Sequence, residues 1–104
     1  MSRMTPTQRS LALLRERGYL TAVVERWNPH AKIRQDLYGV ADLIAVRPLE
    51  VMFVQTTSGD HVAERIAKVK AHANYERIIE SGILFFVHGW SRLKAGWTCR
   101  EIEL

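Results

Sequence analysis

VMFVQTTSGDHVAERIAKVKAHANYERIIESGILFFV, residues 51–87, decides how the chain folds. Two apolar runs rich in β-branched and aromatic residues, 51–57 and 83–87, flank a stretch with helical rhythm. Ser58-Gly59-Asp60 breaks the first run and offers cap residues. The rhythm predicts one long helix from about His61 to Glu80, closed by Ser81-Gly82. Strand, helix and strand in this order make a crossover unit. The two strands are therefore expected to be parallel, the second of them central and buried, with a right-handed connection.

Working outward, residues 40–46 are mostly apolar, as in a strand covered on both faces. The turn Arg47-Pro48-Leu49-Glu50 makes that strand antiparallel to 51–57. Residues 20–27 read as a strand ending at Asn28-Pro29-His30, and 32–36 as a short second strand or the tail of a hairpin. Thr5-Pro6-Thr7-Gln8 is a capping box with proline at the first helical position. Leu11 and Leu14 lie on the inner face of that helix, and Gly18 ends it. Residues 97–104 read as an edge strand. The expected fold is α/β, a mixed sheet flanked by helices in the order α-β-β-β-α-β-β, with one domain over residues 1–104.

The composition agrees with a single small domain. Of 104 residues, 47% are hydrophobic and 25% charged, enough for one modest core. The apolar runs are too short to span a bilayer, so no membrane partner is expected. MSRMTPTQRS lacks the apolar segment of a secretory signal, and Cys99 has no second cysteine to pair with; both favour a reducing cytosol. Cys99 is best read as a packed thiol. The net charge of +4 favours polyanionic partners.

The chemistry concentrates around Asp42. Strand geometry sets it at the start of one strand, beside the end of its antiparallel neighbour, where Gln55 and Thr57 share a face. Asp36, before the Tyr38-Gly39 bend, approaches from the preceding strand. Oxygen-bearing side chains thus converge at one sheet edge, the kind of donor set that Mg²⁺ or Mn²⁺ takes. Zinc is not expected: His61 and His72 stand about 16 Å apart along a helix.

These stretches resemble the PD-(D/E)XK nuclease superfamily, and within it the small Holliday-junction resolvases and virus-type replication-repair nucleases. The likeness is carried by LLRERGY (13–19), DLYGVADLIAV (36–46), VMFVQTT (51–57) and SGILFFVHGW (81–90), and covers roughly residues 6–90. It implies a restriction-endonuclease-like sheet and a metal-dependent DNA endonuclease, acting on branched DNA as a homodimer. Asp42 matches the first motif acid and Gln55 the second, as a neutral ligand. Thr57 stands where the family has its lysine, as a water holder. Asp36 becomes an assisting ligand or a water positioner. Thr7 and Gln8 stand where a first-helix acid is often found.

His61, Arg65, Lys68 and His72 form a basic stripe along the flank of the predicted helix, one residue out of phase with its apolar positions Val62, Ile66, Val69 and Ala73. Arg65 or Lys68 is expected to supply the positive charge that Thr57 lacks. Arg26, Lys32 and Arg34 add phosphate contacts around the hairpin. Trp90, after Gly89, is the exposed candidate for stacking on bases. Two other functions are compatible with the residues. One is a nuclease-fold protein without catalysis, serving DNA binding or protein interaction; the other is an RNA-binding module.

Overall fold

A computed structural model describes residues 3–104. Helix α1 (Pro6–Glu16) starts where the capping box predicts: the Gln8 N–H donates to Thr5 Oγ1 and the Thr5 N–H to Gln8 Oε1. The chain reverses at Gly18, whose φ of +90° an L side chain rarely adopts, into β1 (Leu20–Val23). There follow β2 (Arg26–Asn28), β3 (Ile33–Gln35), β4 (Leu43–Arg47) and β5 (Glu50–Ser58). A 3-10 turn at Gly59–His61 leads to α2 (Val62–Ala71) and α3 (Tyr75–Glu80), and the chain ends in β6 (Leu84–Leu93) and β7 (Gly96–Glu103).

Five strands form one mixed sheet in the order β1-β4-β5-β6-β7. β5 and β6 are parallel, with Phe53 opposite Phe85, as expected of a crossover unit. β4 and β5 are antiparallel, with Leu43 opposite Val54. Alternation sorts the side chains to the two faces. Leu43, Ala45, Met52 and Val54 pack with Leu14 beneath α1. Phe53 and Phe85 pack with Val69 and Ile78 beneath α2 and α3. The period of two therefore buries both faces of the central strands, one under each helical layer.

The elements differ from the expected ones in three places. The run 20–27 divides, because pairing with β4 ends at Val23 opposite Leu43. Beyond it, Arg26–Asn28 pairs only with β3, as a separate hairpin. The helix expected over 61–80 breaks at His72, which is extended (ψ 141°). Val69 and Ile78 are nine residues apart, and at 100° per residue one continuous helix would aim them about 180° apart. The break lets both reach the same core. Ala73, beyond the break, is exposed. Lastly, the strand expected at 83–87 continues to Leu93 and turns through Lys94-Ala95 into the edge strand β7.

Candidate metal centre

The site is assembled by the turn before β4. Gly39 (φ +77°) and Tyr38 (φ +53°) are left-handed, and the Leu37 N–H donates to Ala41 O (2.9 Å). This tight reversal brings Asp36 back towards Asp42. The Asp42 backbone is held from both sides: its N–H donates to Val54 O, and its carbonyl accepts from the Val24 N–H, both at 2.9 Å. The residue after Val24 is Glu25, whose side chain joins the other two carboxyls. One oxygen from each of Glu25, Asp36 and Asp42 lies within 4.8 Å of the others.

Asp42 is buried, and its Oδ2 accepts three hydrogen bonds. They come from Gln55 Nε2 (2.6 Å), the Thr56 N–H (2.8 Å) and Thr56 Oγ1 (3.1 Å). All three fall on one oxygen, leaving Oδ1 for another partner. Gln55 also reaches Asp36 Oδ2 at 3.4 Å. Both its neighbours are carboxylates, so the amide presents its NH₂ to them and acts as a donor where the sequence suggests a carbonyl ligand. Thr56 and Thr7 share a hydrogen bond of 2.7 Å between their hydroxyls. Thr7, in the position expected of a first-helix acid, thereby ties α1 to the site.

Three acidic groups at this spacing repel one another. Burial, and then the charge of Asp42, push Asp36 up to about 7. The same two causes raise Glu25, against the pull of Arg34, which lies 3.3 Å from its carboxyl. The donor set fits a hard divalent cation. Metal–oxygen distances of about 2.1 Å for Mg²⁺ and about 2.4 Å for Ca²⁺ put opposite ligands about 4.2 and 4.8 Å apart. The three carboxyl oxygens lie within 4.8 Å of one another, close enough to share one such ion.

A cleft of about 390 Å³ opens on the cluster, bordered by Thr57, Ser58, His61 and Arg65. Thr57, two residues past Gln55 along β5, is buried in its wall. Lys68 borders a second recess, of about 490 Å³, with Arg34, Asp36 and Tyr38. Asp36 thus belongs to both openings.

One expected nucleic-acid contact does not hold. Trp90 is buried, because β6 continues past Val87 and carries the indole under α1, where Nε1 donates to Ser10 Oγ (2.8 Å). His72 caps the end of α2, half-buried. Its Nδ1 accepts the Asn74 N–H, and its ring packs so closely on Gly39 that a Cβ there would lie 2.4 Å from Nε2. His61, Arg65 and Lys68 remain on the side of the site, and Arg26, Lys32 and Arg34 lie exposed on or beside the hairpin.

Besides Thr56, the site holds Glu25, which the sequence alone did not single out. Its signal was a lone acid inside the β-rich run 20–27, where a charge needs a reason. No helix among the described residues is long and apolar enough to cross a membrane. No protein-family model matches the chain, and no curated protein matches it.

Proposed function

We propose that the chain is an endonuclease of PD-(D/E)XK type that hydrolyses DNA phosphodiester bonds with Mg²⁺ or Mn²⁺. The observation that carries this function is the meeting of Glu25, Asp36 and Asp42 within 4.8 Å, at the floor of a cleft walled by Arg65 and His61. These three carboxyls would hold the cation. A cation bound there lowers the pKa of a coordinated water and offsets charge on the scissile phosphate. Gln55 and Thr56 hold Asp42 in place through its Oδ2. The Thr57 hydroxyl, in the cleft wall, can hold a water, and Arg65 supplies the charge that a threonine cannot. Branched DNA and a symmetric dimer with two sites follow from the resemblance to junction resolvases.

A second function has its own support. β5 carries no lysine, and Asp42 Oδ2 is already satisfied by protein donors. Both features suit a nuclease-fold protein that binds DNA or another protein without cutting.

The deciding experiment incubates the protein with labelled four-way junction, duplex and single strand in Mg²⁺, Mn²⁺ and EDTA, beside Asp42→Ala and Glu25→Ala. Metal-dependent cutting lost in both variants is the expected result. Binding without cutting in any metal overturns the enzyme in favour of the second function. The Arg65→Ala, Lys68→Ala double variant is expected to lose about 10² to 10³ in rate; an unchanged rate would remove these residues from the chemistry.

A further inference from the structure

The β2–β3 hairpin grows directly out of the carboxylate cluster. Glu25 is the residue before β2, and Asp36 the residue after β3. In the hairpin register Arg26 lies opposite Gln35, and Trp27 opposite Arg34. Opposite residues share a face, and faces alternate along each strand. Trp27 and Arg34 therefore occupy the same face as Glu25 and Asp36, one step of two residues nearer the tip. The side chains agree: Arg34 Nη1 reaches Glu25 Oε1 at 3.3 Å, while Asn28 Nδ2 reaches Gln35 Oε1 at 3.3 Å on the other face. Two residues of strand span about 7 Å, the reach of one nucleotide.

Trp27 is 56% exposed. The other two tryptophans are occupied: Trp90 is buried on Ser10, and the Arg9 guanidinium lies 3.8 Å from the centre of the Trp97 ring. Cationic walls continue on both sides of the carboxyls, Arg65 and His61 in one recess, Arg34 and Lys68 in the other. Trp27 borders a third recess, of about 370 Å³, which shares Gln35 with the recess of Arg34 and Lys68, so an anionic strand leaving the cluster could run to Trp27 along adjoining recesses.

We infer that this hairpin holds an unpaired DNA strand across the site, a base stacked on Trp27 and the neighbouring phosphate on Arg34. In a duplex the base faces are covered by their neighbours, so an aromatic ring at this position selects an unpaired nucleotide. This inference deepens the nuclease function by naming its substrate as a flap, a frayed end or an opened junction, and rests on the cluster accepting a phosphodiester strand.

The test is run in EDTA, where cutting plays no part. Binding of fluorescein-labelled oligothymidylate, blunt duplex and oligouridylate is followed by anisotropy at one salt concentration, together with intrinsic tryptophan emission. Trp27→Ala is expected to weaken single-strand binding about tenfold and duplex binding less than about twofold, with Trp27→Phe recovering most of the loss. Quenching of tryptophan emission by the oligonucleotide should vanish in Trp27→Phe and persist in Trp97→Phe. Unchanged single-strand affinity in Trp27→Ala, equal losses for single strand and duplex, or tighter binding of oligouridylate than of DNA would each overturn it. Quenching at Trp27 without cutting in any metal would sink the nuclease and leave the hairpin's role standing. Cutting that ignores Trp27 would do the reverse.

Discussion

Asp42 shows how much one side chain can be asked to do. Three donors converge on its Oδ2, and two other carboxyls approach it within 4.8 Å. Gln55 is the residue that makes this arrangement tolerable without a cation, since its NH₂ faces both Asp42 and Asp36. Gln55→Glu would exchange that donor for a fourth acid. In EDTA the variant is expected to be less stable than the wild type by about 1–3 kcal/mol. Millimolar Mg²⁺ should recover part of the loss and raise the melting temperature more than it does in wild type. Thermal melts with and without the ion check this; no recovery would mean that no cation sits among these acids. Asp42, Gln55 and Thr57 were legible in the sequence because register sets them near one sheet edge, and Asp36 because the Tyr38-Gly39 bend follows it. Glu25 was not, because its approach depends on where β1 leaves the sheet. Trp90 misled because the position of a strand's end, not the residue type, decides whether an indole meets solvent.

The turn between β3 and β4 is the element on which the site depends. Gly39 combines a φ of +77° with the His72 ring against its missing Cβ. Gly39→Ala is expected to cost about 1–3 kcal/mol in strain and displacement, and to weaken cation binding by carrying Asp36 away. Denaturation and calorimetric titration with Mn²⁺ would measure the two effects; an alanine variant as stable as wild type would contradict the geometry. On the other sheet face, α1 is fastened by Ser10, whose hydroxyl accepts from Trp90 Nε1 and lies 2.9 Å from His88 Nδ1, all three buried. Ser10→Ala leaves two buried polar atoms without partners and is expected to destabilise by about 1–3 kcal/mol, read by urea denaturation. The capping box predicted the start of this helix because its signal is local. Ser10 looked like any helical serine, since its partners stand 78 and 80 residues away. The break between α2 and α3 was hidden for a similar reason. Each half of 61–80 has helical rhythm, but one continuous helix would aim Val69 and Ile78 to opposite sides, and seating both in one core breaks it between them.

For the whole molecule, the buried His88 and the half-buried Asp36 work against each other as pH changes. Burial holds His88 down at about 4, outweighing the nearby Glu101, with Arg17 adding to the depression. An unfolded histidine takes its proton near 6.5, so between about pH 4 and 6.5 the unfolded chain binds the extra proton and stability rises with pH. Asp36, raised to about 7, does the opposite: the folded chain keeps a proton that the unfolded one has released, so stability falls with pH over the same window. The wild type is therefore expected to show a shallow profile there. Asp36→Asn should uncover the His88 slope, approaching 1.4 kcal/mol per pH unit, in denaturation from pH 4 to 7; a variant profile as flat as that of the wild type would refute the opposition.

By itself the sequence determined the central strand–helix–strand unit, the antiparallel strand before it, the capped first helix and the meeting of Asp42 with Gln55. All of these follow from periodicity, caps and register, which act over a few residues. Tertiary structure alone decided the entry of Glu25, the burial of Trp90, the packing of His72 against Gly39, the break in the helix expected over 61–80 and the separate hairpin. Each of those depends on which surfaces are covered and on where one strand outlasts its partner, and burial is a property of the assembled sheet and helices that no local stretch contains.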